Sequence, residues 1–103
     1  MDSQYVDRVL QRLAHEADYR PAGWTPKEIA DFHLLVQCAR AAKLDTDLRN
    51  MRLLRLRPCP GGGPETALAP LGESRQITLT FKSSDNHITV AFELLTPETE
   101  TPR

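Results

Sequence analysis

The stretch that decides the fold is residues 75–95, RQITLTFKSSDNHITVAFELL. Apolar and polar side chains alternate on both sides of a central run of turn-forming residues, Ser-Ser-Asp-Asn, at 83–86. Alternation with a period of two is typical of strands with one buried face, and the short turn favours antiparallel pairing. The pattern therefore predicts a hairpin of strands 75–82 and 87–95, whose inward side chains are Ile77, Leu79, Phe81, Val90 and Phe92.

Two helices are predicted before this hairpin. Over residues 4–18 apolar side chains recur at helical spacing, and a linker over 19–24 with proline and glycine ends the pattern. The second helix, 26–43, begins with the sequence of a capping box, because Thr25 is followed by a proline at the first helical position and then by Glu28. Its wide apolar face makes this helix the expected centre of the packing.

A third strand is predicted over residues 51–57, where leucines and arginines alternate imperfectly, followed by an irregular proline- and glycine-rich loop over 58–70. The fold class is then α+β, with two N-terminal helices packed on a small twisted antiparallel sheet. We expect a single domain over residues 1–95. Residues 96–103 are polar and rich in proline and threonine, which predicts a disordered tail.

Composition excludes several classes of function. The chain has 103 residues and a net charge of −1, so nucleic acid could be bound only through a local basic patch. The sequence contains no apolar run long enough for a membrane span and no secretory signal pattern, and we expect a cytoplasmic protein. Cys38 and Cys59 are expected to be free thiols. The spacing of cysteines and histidines predicts no metal site, no cofactor motif is present, and no pattern of a hydrolase is found.

The strongest charge feature is a basic stretch over residues 49–57. It carries Arg49, Arg52, Arg55 and Arg57 and contains no acidic residue. Because a guanidinium group binds phosphate through two hydrogen bonds, these side chains could hold a nucleic-acid backbone. The alternative is structural: the arginines line the exposed face of a strand or pair with nearby acids.

Several segments resemble the RelE/ParE toxin superfamily, and most closely the HigB-like plasmid-maintenance killer proteins. They are Ala41-Ala42-Lys43, Asp47-Leu48-Arg49-Asn50, Leu53-Leu54-Arg55-Leu56, and the two strands at 75–81 and 88–94. The similarity extends over residues 24–95. It implies a small α+β toxin of a bacterial type II toxin–antitoxin system, with a cognate antitoxin as its protein partner.

Members of this superfamily that cut mRNA on the ribosome hold the scissile phosphate with basic residues and use an acid/base group to assist the 2′-hydroxyl. Carried over by position, the resemblance implies that Arg57 and Arg75 bind the phosphate and that His87 is the acid/base candidate. Arg49, Arg52 and Arg55 would then contact the rest of the nucleic acid.

The chain also departs from the family pattern. The loop over 58–70 lacks the family's basic residues, Leu94-Leu95-Thr96-Pro97 replaces its closing Asp-Tyr-His segment, and a helix is expected where the family typically opens with a strand. Two hypotheses follow. The first is a toxin acting on mRNA at the ribosome. The second is a non-catalytic protein-binding module on the same scaffold, which could be a degenerate toxin, a phage-type inhibitor or an immunity-like protein.

Overall fold

A computed structural model describes residues 1–73, 75–85 and 87–95. The predicted tail, residues 96–103, lies outside the described residues. Four strands and three α-helices follow one another in the order β1, α1, α2, α3, β2, β3, β4, with a 3₁₀ turn, Arg52–Leu54, between α3 and β2. Their bounds are β1 Asp2–Tyr5, α1 Arg8–His15, α2 Pro26–Ala41, α3 Asp45–Arg49, β2 Thr66–Leu71, β3 Arg75–Ser84 and β4 His87–Leu94.

The strands form one sheet in the order β1-β4-β3-β2. Strands β3 and β4 are an antiparallel hairpin, with Ser84 opposite His87 at the turn and Ile77 opposite Leu94 at the far end. Strand β2 is antiparallel to β3, whereas β1 lies parallel to β4. The predicted hairpin and the α+β fold class are therefore confirmed.

The helices cover one face of the sheet and enclose the core. All five side chains predicted to face the helices are buried: Ile77, Leu79, Phe81, Val90 and Phe92. From α2, Phe32 meets Phe92 edge to face, with ring centroids 6.0 Å apart. This arrangement is one of the geometries that aromatic pairs prefer.

The start of α2 forms as its sequence predicts. The Thr25 hydroxyl accepts a hydrogen bond from the Glu28 backbone N–H at 3.1 Å, and Glu28 Oε1 accepts one from the Thr25 N–H at 2.9 Å. This reciprocal capping box satisfies two of the donors that a helix leaves unpaired at its first turn. It also fixes Glu28 in a buried position, which matters for the site described below.

The prediction of one helix over residues 4–18 is wrong in its first part. Residues 2–5 form β1, and the Val6 N–H donates to the carbonyl of Phe92 at 2.9 Å before α1 begins at Arg8. Asp7 marks the change of direction, because its carboxylate accepts a hydrogen bond from the Leu94 N–H at 2.8 Å. Pairing with β4 satisfies the backbone of this short segment in an extended conformation.

The predicted strand over 51–57 and loop over 58–70 also require correction. A 3₁₀ turn replaces most of the strand, since the adjacent residues Leu53 and Leu54 break the alternation and only Leu54 enters the core. Strand β2 occupies the second half of the predicted loop. Pro70 has no N–H to donate to a neighbouring strand. It is tolerated because β2 lies at the edge of the four-stranded sheet, where not every N–H needs a partner strand.

Candidate functional site

Four basic side chains surround an open groove beside the first turn of α2. The groove has a volume of about 720 Å³ and lies between α2, the segment after the 3₁₀ turn and the β2–β3 connection. We call it the basic groove, and its lining residues are Lys27, Arg55, Arg57, Pro70, Gly72, Glu73, Arg75 and Gln76. Among these residues four are cations and one, Glu73, carries a carboxylate. The arrangement suits a ligand with more than one negative charge.

Arg57 is held in the groove by both its backbone and its side chain. Its N–H donates to the Leu68 carbonyl at 3.0 Å, and the Leu68 N–H donates back at 2.7 Å. This antiparallel bridge with Leu68 is the one β-type pairing that residues 51–57, predicted to be a strand, form in the structure. The guanidinium donates to Oε1 of Gln76 at 2.9 Å. Because an amide is neutral, this bond orients the guanidinium and leaves its charge for a ligand.

Arg55 lines the basic groove and also a neighbouring apolar cleft, and its backbone conformation is unusual. It ends the 3₁₀ turn with φ 53° and ψ 41°, in the left-handed region. For a residue with a Cβ this conformation costs about 1–2 kcal/mol. Such strain tends to occur at functional sites, where the position of a side chain matters more than local stability.

Arg75 is the most constrained of the four cations. Its Nε lies 3.2 Å from Oε1 of the buried Glu28, and another guanidinium nitrogen donates to the Gly23 carbonyl at 2.8 Å. The guanidinium also lies over the Trp24 ring, 4.2 Å from its centroid. The charge of Arg75 is therefore largely neutralised within the protein, and its contribution to the groove is mainly structural.

An apolar cleft adjoins the basic groove and shares Lys27, Arg55 and Pro70 with it. The cleft has a volume of about 460 Å³. Arg52 lies on its rim, and Leu53 beside it is 74% exposed, the highest value among the large apolar residues in the described part of the chain. We call it the apolar cleft, and it is lined by Lys27, Asp31, Leu34, Leu35, Arg52, Leu53, Leu54, Arg55, Ala69, Pro70 and Leu71.

Arg49 is not brought to this site. Its guanidinium pairs with Asp45 one turn earlier in α3, at 3.0 Å, and donates to the Pro64 carbonyl at 2.8 Å. It also lies over the Phe81 ring, 4.9 Å from the centroid. These contacts attach the glycine-rich loop to the body of the protein, which gives Arg49 a structural role.

His87 is also separate from the arginines. It stands at the turn end of β4, opposite Ser84, and its Nε2 lies 2.7 Å from a carboxylate oxygen of Asp2. Arg75 begins β3 at the other end of the hairpin. Since β3 has 10 residues, at ~3.3 Å per residue these two ends are about 30 Å apart. One phosphate cannot reach both residues.

His33, on α2, contacts the backbone of α1. Its Nε2 lies 3.0 Å from the Leu13 carbonyl oxygen, close enough to donate a hydrogen bond.

Sequence reasoning missed three residues of the basic groove, Lys27, Glu73 and Gln76. Lys27 is an exposed residue in the first turn of α2, where it pairs with Asp31 at 3.4 Å. Asp31 in turn accepts a hydrogen bond from the Gly72 N–H at 2.8 Å, which attaches the β2–β3 connection to α2. These residues come together through tertiary packing, so no local spacing could reveal the set.

Other chemistry is limited within the residues that the structure describes. They contain no cluster of three or more potential metal ligands and no helix that could cross a membrane. Cys38 and Cys59 are free thiols, as expected. Of the described side chains that line the basic groove, none is a histidine or a tyrosine.

Comparison of the chain with protein-family models, with curated proteins and with solved structures found no match.

Proposed function

We propose that the protein binds the phosphate backbone of RNA in the basic groove. It would do so as a toxin-like component of a bacterial type II toxin–antitoxin system. The observation that carries the proposal is the grouping of Lys27, Arg55 and Arg57 around one open groove, at the side of which Arg75 is held by its ion pair with Glu28. Arginine and lysine side chains are the usual partners of nucleic-acid phosphates. The cognate antitoxin would be its protein partner. The protein itself would act on mRNA at the ribosome, in the cytoplasm.

Two further observations support the proposal. A strand, β1, precedes α1, so the helix expected over residues 4–18 no longer separates this chain from the RelE/ParE pattern, in which a strand comes before the helices. Arg57 and Arg75, the two positions that the resemblance assigns to phosphate binding, line the same groove. The segment carrying Arg57 pairs with β2, whose other side pairs with β3. Strand β2 therefore lies between the Arg57 backbone and β3, and the Arg57 guanidinium reaches β3 through its hydrogen bond to Gln76, the residue after Arg75.

The basic groove is proposed to bind the phosphate backbone of RNA. No cleavage of that backbone is proposed for it. Cleavage by the neighbouring 2′-hydroxyl needs charge stabilisation and proton transfer at the same phosphate. The acid/base candidate, His87, stands at the opposite end of the hairpin. Glu73 is the one proton acceptor with a carboxylate among the described lining residues, and nothing in its surroundings distinguishes it as a base.

The test is the salt dependence of binding to a short single-stranded RNA of mixed sequence, measured by fluorescence anisotropy. For a single strand, each phosphate contact that is lost reduces the slope of log K against log salt by about 0.7 units. The double variant Arg55→Ala, Arg57→Ala is expected to reduce the slope by about 1.4 units.

The matched control is Arg8→Ala, Arg40→Ala, which changes the net charge equally. Arg8 begins α1, and Arg40 lies about 20 Å along α2 from Lys27. The control is expected to keep the slope of the wild type. Equal slopes in all three proteins would overturn the proposal and favour the non-catalytic protein-binding module.

A further inference from the structure

The apolar cleft is continuous with the basic groove and differs from it in chemistry. Its floor is formed by side chains of α2, the 3₁₀ turn and β2, with Leu34 half-buried and Leu35, Leu54 and Leu71 buried. Arg52 and Arg55 lie on its rim. The one carboxylate on the cleft, that of Asp31, is already engaged by Lys27 and by the Gly72 N–H. Among the residues that the structure describes, the cleft therefore offers apolar area beside two arginines that no carboxylate on the cleft pairs with.

The exposure of Leu53 follows from the shape of the 3₁₀ turn. Leu54 is directed into the core and is 7% exposed, so its neighbour Leu53 points outward between Arg52 and Arg55. Covering an exposed leucine side chain is favourable because it removes apolar surface from water. A ligand that covers Leu53 while placing negative charge next to Arg55 would gain from both.

We propose that the apolar cleft receives an unpaired nucleobase of a single-stranded RNA whose phosphates lie in the basic groove. This inference rests on the proposed function and names its substrate class. A nucleobase has flat apolar faces and is joined to a phosphate through its ribose, so one nucleotide matches the two adjoining clefts. Guanidinium groups such as those of Arg52 and Arg55 stack on bases, and base stacking is the usual way in which single strands are held.

A double helix does not fit this description. Its bases are stacked on one another inside the duplex, and the deep, narrow major groove of A-form RNA is closed to side chains. Duplex RNA would therefore contact the basic groove alone. The protein is expected to prefer a single strand over a duplex of the same length.

The test compares three ligands of equal length: a single-stranded RNA, the same strand with abasic sites at every position, and an RNA duplex. The variant is Leu53→Ala, which removes exposed side-chain atoms and leaves the core intact. We expect it to weaken binding of the single strand about tenfold, because one base contact is worth that order of affinity. Binding of the abasic strand is expected to stay within about twofold, since its phosphate contacts are unchanged.

The control is Leu44→Ala, which truncates another exposed leucine, 54% exposed, that lines neither cleft. It is expected to bind all three ligands as the wild type does. If Leu53→Ala leaves single-strand binding unchanged while the arginine double variant still lowers the salt slope, the base-binding inference is wrong and the proposed function stands. If no RNA binds to the wild type, the proposed function itself fails.

Two other results would also overturn the inference. Equal weakening of the intact and abasic strands by Leu53→Ala would mean that the substitution disturbs the basic groove. Equal binding of both strands by the wild type would mean that no base enters the cleft. In that case the oligomeric state would be measured by sedimentation. A wild-type dimer that Leu53→Ala dissociates would assign the cleft to a second copy of the chain.

Discussion

Glu28 and Arg75 join the beginning of α2 to the beginning of β3, with Oε1 and Nε 3.2 Å apart. The same carboxylate oxygen accepts the Thr25 N–H of the capping box, so one buried acid serves both the helix start and the ion pair. Arg75 reaches further, to the Gly23 carbonyl and the Trp24 ring. The linker before α2 and the hairpin are thereby fixed to each other at one side of the basic groove.

Replacing Arg75 by alanine is expected to lower the free energy of unfolding by about 2 kcal/mol, because Glu28 would keep a buried charge without its cation. The loss stays below that of a fully buried pair, since the Arg75 side chain is 28% exposed. Urea unfolding followed by the fluorescence of Trp24, the single tryptophan of the chain, measures it. Adding Glu28→Gln should recover part of the loss. A double variant less stable than Arg75→Ala would contradict this explanation.

Arg55 allows stability and binding to be separated. Arg55→Gly removes the charge and also relieves the left-handed strain, whereas Arg55→Ala removes the charge and keeps the strain. We expect the glycine variant to be more stable than the alanine variant by about 1 kcal/mol in urea unfolding. Both should lose the same RNA affinity in the anisotropy assay. An alanine variant as stable as the glycine variant would show that the strain is absent in solution.

Gly72 and Gly23 form a matched pair for substitution by alanine. Both have positive φ, +60° and +87°, but a Cβ on Gly72 would lie 2.8 Å from Cγ of Glu28, and one on Gly23 would meet nothing within 4 Å. Gly23→Ala is therefore expected to cost about 1 kcal/mol from the backbone alone. Gly72→Ala should cost at least about 2 kcal/mol, because the steric conflict with Glu28 is added. Thermal unfolding of both variants would show whether the order holds.

Asp47 is expected to make stability depend on pH under acidic conditions. The backbone N–H groups of Leu44 and Lys43, each 3.0 Å from its carboxylate, hold the pKa of Asp47 below its usual range. Because the pKa is lowered in the folded state, the ionised Asp47 carboxylate stabilises the fold above the usual aspartate range, about pH 4. This contribution to the free energy of unfolding is lost as the pH falls through the folded-state pKa.

Asp47→Asn keeps an acceptor oxygen but removes the titration, so its stability should fall less steeply than that of the wild type between about pH 5 and pH 2. Urea unfolding at several pH values tests this. Asp47→Ala, which removes the acceptor as well, is expected to be less stable than the wild type at neutral pH. Parallel pH profiles for the wild type and Asp47→Asn would contradict the assignment.

The parts of the fold with strong local signals were predictable from the sequence. The alternation in 75–95 identified the hairpin and its five core side chains, and the spacing of Thr25 and Glu28 identified the helix start. In both cases the interacting residues lie close together in the chain. Side-chain chemistry within a few residues was then enough to select the conformation.

The missed elements depend on distant partners. Strand β1 has four residues and obtains its hydrogen bonds from β4, almost the whole chain away. Strand β2 contains Pro70 and small alanines, which favour a loop until β3 supplies the pairing. Three of the four cations of the basic groove, Arg55, Arg57 and Arg75, were predicted, whereas Lys27 was missed because it joins them through packing.

The parallel pairing of β1 with β4 also has a consequence for biosynthesis. Residues 2–5 are made well before their hydrogen-bonding partners, residues 89–92. Until then the apolar face of α2 lacks Phe92, which Phe32 contacts in the finished protein. A nascent chain therefore cannot complete its sheet before residues 89–92 have left the ribosome, so β1 stays without its pairing partner while the helices and β2 and β3 are being made.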